Sequence, residues 1–162
     1  MPQKTGEGFD FEAFYERHWK YVYRLCYTYM RNPEEAEDCA EDVFVKVLNG
    51  EFEFKDETHE RKWLAVTAGN YCKDKLKSAR HTKTDYLDDV PEPYAEDAEN
   101  TNESEVLAAV TALPEKQREV IWLYYYDGYR TEEIAQMLHA PPSTIRNRLA
   151  DARKRLKDVL GG

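Results

Sequence analysis

The chain of 162 residues suits one ordinary domain or two small ones, and its 41% hydrophobic content supports folded cores rather than global disorder. Its formal charge of -9 opposes unaided binding to DNA, because phosphate attraction supplies most non-specific affinity. The sequence has no run of eighteen apolar residues and no secretory signal at residues 1–8, so we expect a soluble cytoplasmic protein without membrane insertion.

The charge is distributed by region. Residues 31–60 hold 11 acidic and 3 basic side chains, and residues 61–83 hold 7 basic and 1 acidic. Residues 84–105 hold 9 acidic and no basic side chains, whereas residues 106–162 hold 7 acidic and 9 basic. The net charge therefore hides two basic segments, each suited to nucleic acid.

Three helices are predicted in the first part of the chain. Apolar side chains recur at helical spacing from Asp10 to Met30, which predicts a long first helix. In the second helix Asn32 is the predicted N-cap, Pro33 the first helical residue and Glu35 the partner in a capping box. Its predicted apolar face comprises Ala36, Cys39, Ala40, Val43, Phe44, Val47 and Leu48, and the helix ends at Asn49-Gly50.

A loop containing Phe52 and Phe54 separates the second helix from a third, which is predicted from about Thr58 to Ala79. The apolar side of the third helix carries Trp63 and Tyr71, among others, and another side carries lysines. The three cysteines are odd in number and far apart in sequence, which favours reduced core residues over a disulfide framework or a zinc site: Cys26, Cys39 and Cys72. We expect neither a metal nor a cofactor.

Residues 84–105 are predicted to be an acidic flexible linker, because they contain two prolines, nine carboxylates and little periodicity. The linker separates a domain of residues 1–83 from a domain of residues 106–162. Fully stretched, its 22 residues span roughly 70 Å, about two turns of duplex DNA. The two domains can therefore contact DNA at separated places.

The second domain is also predicted to be helical, with segments Val106–Leu113, Glu115–Tyr126 and Glu132–Leu138, the last with Thr131 as its N-cap, and a long basic helix from Pro142. No stretch of the chain shows the alternation of a strand. The predicted fold class is therefore all-α, with two small helical domains joined by the linker.

Residues 131–149 have the pattern of a helix-turn-helix, since Ile134, Ala135 and Leu138 face Ile145 and Leu149 across a short turn. His139 occupies the turn position where the backbone goes left-handed and glycine is usual. The last helix then points four side chains outward: Ser143, Arg146, Asn147 and Lys154.

The first turns of such a helix contact base edges, where Arg pairs with guanine and Asn with adenine. Four side chains suit phosphate contacts better: Thr144, Arg148, Arg153 and Lys154. A plain amphipathic hairpin with a solvated basic face has the same apolar pattern, and the pattern by itself leaves both interpretations open.

Several segments resemble the extracytoplasmic-function sigma factors of bacterial RNA polymerase. The segments Leu113–Val120, Glu132–Ala135 and Thr144–Leu149 resemble region 4 of that family. Ala36–Phe44 resembles region 2.2, and Trp63-Leu64 with Asn70 and Asp74 resembles regions 2.3 and 2.4. Both sets occur in the family's order, across nearly the whole chain and with a linker of suitable size.

The resemblance implies a specificity subunit of RNA polymerase that has no enzymatic activity of its own. Region 2 would bind the core enzyme and open and read the minus-10 promoter element, and region 4 would read the minus-35 element as duplex. The implied partners are core RNA polymerase and promoter DNA, with an anti-sigma factor as a further candidate and no stable homo-oligomer. Because the core enzyme brings such a subunit to DNA, its acidic parts can face that enzyme.

The resemblance assigns core binding to an acidic edge of the second helix, formed by Asp38, Glu41 and Asp42. The family commonly has Gln at the position of Glu41. A solvated acidic face without a partner is the alternative. The linker corresponds to the family's connection between regions 2 and 4, which passes near the active-site cleft, and an ordinary tether is again the alternative.

Strand separation needs cationic groups and aromatic or apolar sites that accept an unstacked base. The candidates are Phe52, Phe54, Lys55, Arg61, Lys62, Trp63, Asn70, Lys73, Asp74 and Lys77. Phe52 and Phe54 are the better base-accepting candidates because they lie in a predicted loop, whereas Trp63 lies on the apolar stripe. Asn70 and Asp74 match family positions near the duplex edge of the minus-10 element, or they bond within the domain.

Two other classes of function match single features of the sequence. A free-standing helix-turn-helix regulator usually dimerises on paired half-sites, and nothing in this sequence resembles a dimerisation helix pair. A carboxylate-bridged metal enzyme in a helical bundle needs Glu-x-x-His pairs, and none of the four histidines has Glu three positions earlier.

Overall fold

The computed structural model describes residues 3–4, 9–82 and 101–161, so residues 84–100 of the predicted linker lie outside the described residues. The chain forms two compact units, Met1–Val90 and Pro91–Gly162. Helices make up most of both units, which confirms the predicted all-α class. No helix in the described ranges is long and apolar enough to cross a membrane.

The first unit contains three helices, α1 (Phe11–Met30), α2 (Pro33–Asn49) and α3 (Glu57–Thr82). The Asp10 carboxylate accepts a hydrogen bond from the Ala13 backbone N–H at 3.1 Å. The Asn32 side chain accepts from the Glu35 N–H at the same distance, as its predicted N-cap role requires. Local capping thus fixes where α1 and α2 begin.

The core of the first unit lies among these three helices and is rich in aromatic rings. Phe14 of α1 is fully buried and contacts Phe44 of α2, with ring centroids 6.0 Å apart. The predicted apolar face of α2 is confirmed except at Leu48, which is 59% exposed. Leu48 lies about 100° around the helix from buried Val47, which turns it away from α1 and α3.

The three cysteines, which are far apart in sequence, come together in this core. Cys26, Cys39 and Cys72 are free and buried, one on each helix, as predicted for reduced core residues. Hydrogen bonding to Cys72 and burial raise the pKa of Cys39. Hydrogen bonding to Cys26 and burial likewise raise the pKa of Cys72. Because the thiolate is the reactive form, burial and a raised pKa both favour the unreactive thiol form of Cys39 and Cys72.

A short strand pair lies beside the helices. Strand β1 (Gln3–Lys4) runs antiparallel to β2 (Glu53–Phe54), with Gln3 opposite Phe54 and Lys4 opposite Glu53. Residues 53–54 were predicted as part of a loop. Two residues are too few to show an alternating pattern, so sequence periodicity cannot detect this pair.

The second unit contains α4 (Thr101–Thr111), α5 (Glu115–Ile121), α6 (Thr131–Leu138) and α7 (Pro142–Leu160). Helix α4 begins at Thr101 rather than at the predicted Val106, so the last residues assigned to the linker are helical. A π-helical turn, Trp122–Tyr126, continues directly from α5 and was predicted as ordinary helix. Helices α4, α5 and α6 all pack against α7.

The start of α6 differs by one residue from the prediction. Arg130, rather than Thr131, is the N-cap, and its backbone N–H donates to the Glu133 carboxylate at 3.0 Å. The Arg130 Nε also lies 3.2 Å from Glu133 Oε1. The Glu133 side chain thus satisfies the backbone N–H of the N-cap residue, as the third residue of a capping box does.

Candidate nucleic-acid interfaces

Helices α6 and α7 form the predicted helix-turn-helix. Ile134 of α6 and Ile145 and Leu149 of α7 are buried between the helices, and Ala135 is small enough for close approach. His139 ends α6 in the left-handed conformation, with φ 54° and ψ 48°, as predicted for this turn position. The Ala140 N–H then donates to the Ala135 carbonyl at 3.0 Å, which closes the turn.

The first two turns of α7 present an outward face. Ser143, Arg146 and Asn147 are exposed, as helical spacing predicted, while Thr144 and Arg148 are half-buried at its edges. Pro142 occupies the first helical position, and the first turn carries no acidic residue that would repel phosphate. Further along, Lys154 is also exposed. This face has the geometry of a recognition helix, whereas its contact with bases stays a prediction.

Arg153 has partners within the unit that the sequence did not reveal. Its Nε donates to the Tyr125 hydroxyl at 2.6 Å, and its guanidinium carbon lies 5.6 Å from the Tyr124 ring and 5.5 Å from the Tyr125 ring. Both tyrosines belong to the π-helical turn. Arg153, predicted as a phosphate contact, is therefore already oriented by two tyrosines.

The first unit carries a group of aromatic rings at the junction of β2 and α3. The Phe52 ring lies 4.7 Å from the Trp63 ring, and both side chains are half-buried. Phe54 lies 5.5 Å from Trp63 but is only 1% exposed, because it stacks on Phe14 at 5.7 Å. Phe54 therefore presents no accessible ring face in this structure, contrary to its predicted place in an exposed loop. The accessible part, called the aromatic surface below, consists of Phe52 and Trp63.

The absence of a side chain at Gly50 leaves room for the Phe52 ring. A Cβ atom at position 50 would lie 2.3 Å from Phe52 Cε2, 2.6 Å from its Cζ and 3.1 Å from the Lys46 carbonyl oxygen. The two distances to the ring are far below van der Waals contact, so a larger residue would displace the ring. Sequence reasoning used Gly50 only as a helix stop and missed this role.

The exposed side of α3 continues from the aromatic surface. At 100° per residue, Trp63, Asn70 and Asp74 lie within about 40° of one another around the helix, and Asn70 and Asp74 are exposed. Three predicted cations follow one edge of the same side: Lys62, Lys73 and Lys77. This arrangement places one ring of the aromatic surface, two polar groups and three cations on one side of α3.

The other two predicted cations, Lys55 and Arg61, lie near the start of α3, and two of the five cations lie over rings of α1. The Arg61 guanidinium lies over the Tyr21 ring at 4.2 Å from its centroid, and the Lys73 amine lies 6.0 Å from the Tyr29 ring. Lys55 is exposed, and its backbone N–H donates to His59 Nδ1 at 3.0 Å. Aromatic rings of α1 therefore help to orient the cations of α3.

The acidic edge of α2 is exposed at Asp38, Glu41 and Asp42, as expected of a docking surface. Asp42 also accepts a hydrogen bond from the Tyr71 hydroxyl of α3, which raises the pKa of Tyr71. Within the acidic edge, the side chain of Asp42 is thus oriented by Tyr71 of α3.

Apolar side chains extend this edge toward the end of α2. Val45 is 50% exposed and Leu48 is 59% exposed. Positions 38, 41, 45 and 48 follow three- and four-residue spacing, so they share one side of the helix. Sequence reasoning placed Leu48 in the core and therefore missed this apolar continuation.

Among the residues described, no group of three or more His, Cys, Asp or Glu side chains is arranged to hold a metal ion. The carboxylates of α2 instead point to solvent along one edge. A carboxylate-bridged metal centre therefore has no donor set in this part of the chain.

Comparison with known families assigns both units. Residues 14–82 match the family profile of Sigma-70 region 2, and residues 103–156 match that of Sigma-70, region 4. The two matches lie in different compact units and together cover more than half of the chain. The chain belongs to the sigma-70 family.

Curated relatives identify the branch. The chain is 29% identical over 157 residues to the ECF RNA polymerase sigma factor SigM of Mycobacterium tuberculosis, covering 97% of this chain and 80% of that protein. It is 27% identical over 177 residues to the ECF sigma factor SigW of Bacillus subtilis, covering 97% and 92%. The chain is therefore an extracytoplasmic-function sigma factor that directs core RNA polymerase to promoters.

A solved structure shares the fold. The sigma factor RpoE from Bartonella quintana, in complex with the anti-sigma factor NepR, superposes with a TM-score of 0.72. The alignment covers 94% of this chain and 97% of that one at 20% sequence identity. The resemblance predicted from the sequence motifs is thus confirmed at the level of family and fold.

Proposed function

We propose that this sigma factor divides promoter recognition between its two units. Residues 106–162 read the minus-35 element as duplex. Residues 1–83 bind core polymerase, read the minus-10 element and hold it open, and residues 84–105 connect them. The observation that carries this proposal is that the units present different surfaces: an outward polar face on a regular helix in one, and two aromatic rings in tilted contact, flanked by cations, in the other.

In the second unit, Arg146 and Asn147 read base edges from the first two turns of α7, and Ser143 supports them. Their exposure above buried Ile145 and Leu149 gives them the reach that base readout requires. The phosphate contacts fall to Thr144, Arg148, Arg153 and Lys154.

In the first unit, the aromatic surface accepts an unstacked base of the minus-10 element. Asn70 and Asp74 lie at the edge of the remaining duplex, and five cations hold the phosphates of the displaced strand: Lys55, Arg61, Lys62, Lys73 and Lys77. Base stacking needs an accessible ring face, which Phe52 and Trp63 supply and Phe54 does not.

Core polymerase docks on the acidic edge of α2, formed by Asp38, Glu41 and Asp42. A charge of -9 disfavours binding to DNA by the free protein, so the complex with core supplies most of the promoter affinity. By analogy with the Bartonella complex, an anti-sigma factor is proposed as a third partner. The protein acts in the cytoplasm as a non-catalytic subunit, without a cofactor or a stable homo-oligomer.

Run-off transcription tests the function directly. Core polymerase with this protein should start transcription at a promoter that has both elements, and neither component should do so alone. In parallel, the free protein should bind the same promoter at least about tenfold more weakly than the complex with core at moderate salt. Equal affinity with and without core would instead support a free-standing regulator.

A further inference from the structure

A buried ionic cluster lies directly behind the aromatic surface. The Glu60 carboxylate of α3 lies 2.8 Å from His18 Nε2 and 3.1 Å from Arg17 Nη2, both on α1. A second Glu60 oxygen lies 3.3 Å from the same Arg17 nitrogen. The side chains of Glu60 and His18 are each 4% exposed, whereas that of Arg17 is 35% exposed. One carboxylate therefore joins the start of α3 to the middle of α1.

Such a cluster is not an efficient source of stability. Moving a carboxylate out of water is costly, and replacing a buried ion pair with packed apolar groups is often neutral or stabilising. The contact of 2.8 Å between His18 and Glu60 is short, however, and with the two contacts from Arg17 it holds the start of α3 in one orientation against α1. The geometry therefore favours a role in positioning.

A continuous series of ring contacts leads from this cluster to the aromatic surface. The His18 ring lies 4.8 Å from the Phe14 ring, and Phe14 stacks on Phe54 at 5.7 Å with an interplanar angle of 19°. Phe54 contacts Trp63 at 5.5 Å, and Trp63 contacts Phe52. Each contact is between packed aromatic rings, so a displacement at His18 shifts the next ring.

The backbone provides a second connection. Glu60 lies in the first turn of α3, and Trp63 follows it by three residues, so fixing Glu60 against α1 also fixes the rotation of α3 that aims Trp63 outward. Asp56 supports this turn, since its side chain accepts from the His59 N–H at 2.8 Å.

We propose that Glu60 and His18 are positioning residues for promoter opening, which hold Phe52 and Trp63 in the geometry that receives an unstacked base. Arg17 completes the cluster from its more exposed position. This inference rests on the proposed role of the aromatic surface. It extends the minus-10 machinery to two residues that contact no DNA, because a site displaced by about 1 Å can lose up to a hundredfold in rate.

The test compares Glu60→Gln, His18→Gln and Arg17→Gln in the full-length protein. Arg17→Gln serves as the mild variant, since it leaves both buried partners in place. Leu76→Ala is the matched control, because Leu76 is buried near the other end of α3 and belongs to none of these contacts. Permanganate reactivity of the minus-10 thymines is measured on duplex and on pre-melted promoter, alongside association with core and thermal unfolding.

Glu60→Gln and His18→Gln should slow opening of duplex promoter by about tenfold to a hundredfold, and Arg17→Gln by about threefold. All three should keep normal association with core and recover on the pre-melted template. Leu76→Ala should lower thermal stability without a selective loss of opening. A loss of opening that only tracks thermal stability in all four variants would overturn the positioning role, as would normal opening by Glu60→Gln.

Phe52→Ala separates this inference from the proposed function. If Phe52→Ala opens duplex promoter normally, the proposed role of the aromatic surface is wrong. The inference that Glu60 and His18 position this surface for opening is then wrong as well. If Phe52→Ala is impaired while the Glu60 and His18 variants are normal, only the positioning inference is wrong. Impairment in all three, with rescue by pre-melting, supports both.

Discussion

The two units present their candidate DNA-reading residues in different ways. In the second unit, Ser143, Arg146 and Asn147 lie on consecutive turns of one regular helix above a buried stripe. In the first unit, Phe52 precedes a two-residue strand and Trp63 lies on the following helix. Local helical geometry orients the first set, whereas tertiary contacts orient the second.

This difference matches the two forms of DNA. The major groove of duplex DNA has a fixed shape, so a rigid helix with outward side chains suffices to read it. An unstacked base needs a site that receives its whole face, and such a site must be built from several segments. We therefore expect the first unit to be the more sensitive to changes behind its surface.

The largest expected effect is a loss of binding to core polymerase, which we expect to depend on the first unit. Changing Asp38, Glu41 and Asp42 together to Lys should abolish binding to core, because it reverses the charge of the docking edge. Pull-down with core measures this, and circular dichroism should show unchanged helicity. The matched control changes three other exposed carboxylates, Glu12, Glu16 and Glu34, to Lys. Equal loss in both triple variants would show a net-charge effect and contradict this docking edge.

The next effect separates duplex reading from opening. Arg146→Ala and Asn147→Ala should each cost about 1 to 3 kcal/mol at a cognate base pair of the minus-35 element. Phe52→Ala should instead reduce permanganate reactivity at the minus-10 element. A pre-melted template should restore the activity of Phe52→Ala but not that of Arg146→Ala or Asn147→Ala. The opposite pattern of rescue would mean that the two tasks are assigned to the wrong units.

The same contrast explains what the sequence could predict. In α7 the outward positions follow from a period of 3.6 residues, and Ser143, Arg146 and Asn147 are exposed as predicted. The left-handed turn at His139 and the cap at Asn32 also follow from local rules. Local regularity therefore made most helices and one candidate surface predictable.

The failures occur where distant residues decide the outcome. The sequence predicts Phe54 in a loop, but Phe54 is buried because Phe14, forty residues earlier, stacks on it. The bond between Arg153 and Tyr125 spans 28 residues, and the cluster of Glu60 with His18 spans 42. Composition and periodicity carry no information on such pairs, so the ionic cluster behind the aromatic surface was not predicted.

A smaller effect is expected from Gly50→Ala, which probes the first unit without replacing an aromatic residue. The added methyl group should displace Phe52, since it would lie 2.3 Å from the ring, and opening should fall by about threefold to tenfold while core binding is unchanged. Asn49→Ala, at the neighbouring exposed position, is the control and should open normally. If Gly50→Ala also opens normally, the exact placement of Phe52 is unimportant.

The smallest effect tests a feature that the two units share. Arg31 after α1 and His139 after α6 both adopt left-handed backbone, with φ 57° and 54°. This conformation costs a residue with a side chain about 1 kcal/mol relative to glycine. Arg31→Gly and His139→Gly should therefore each raise the free energy of local unfolding of the unit that contains the substitution by about that amount.

Hydrogen exchange of the full-length protein, followed by mass spectrometry, resolves the two units. Peptides from α1 and α2 should gain protection only in Arg31→Gly, and peptides from α6 and α7 only in His139→Gly. Because both side chains lie outside the proposed DNA-reading surfaces, transcription should not change in either variant. Loss of protection in His139→Gly would show that the imidazole stabilises the turn, and that this turn is held by more than the backbone bond from Ala140 to Ala135.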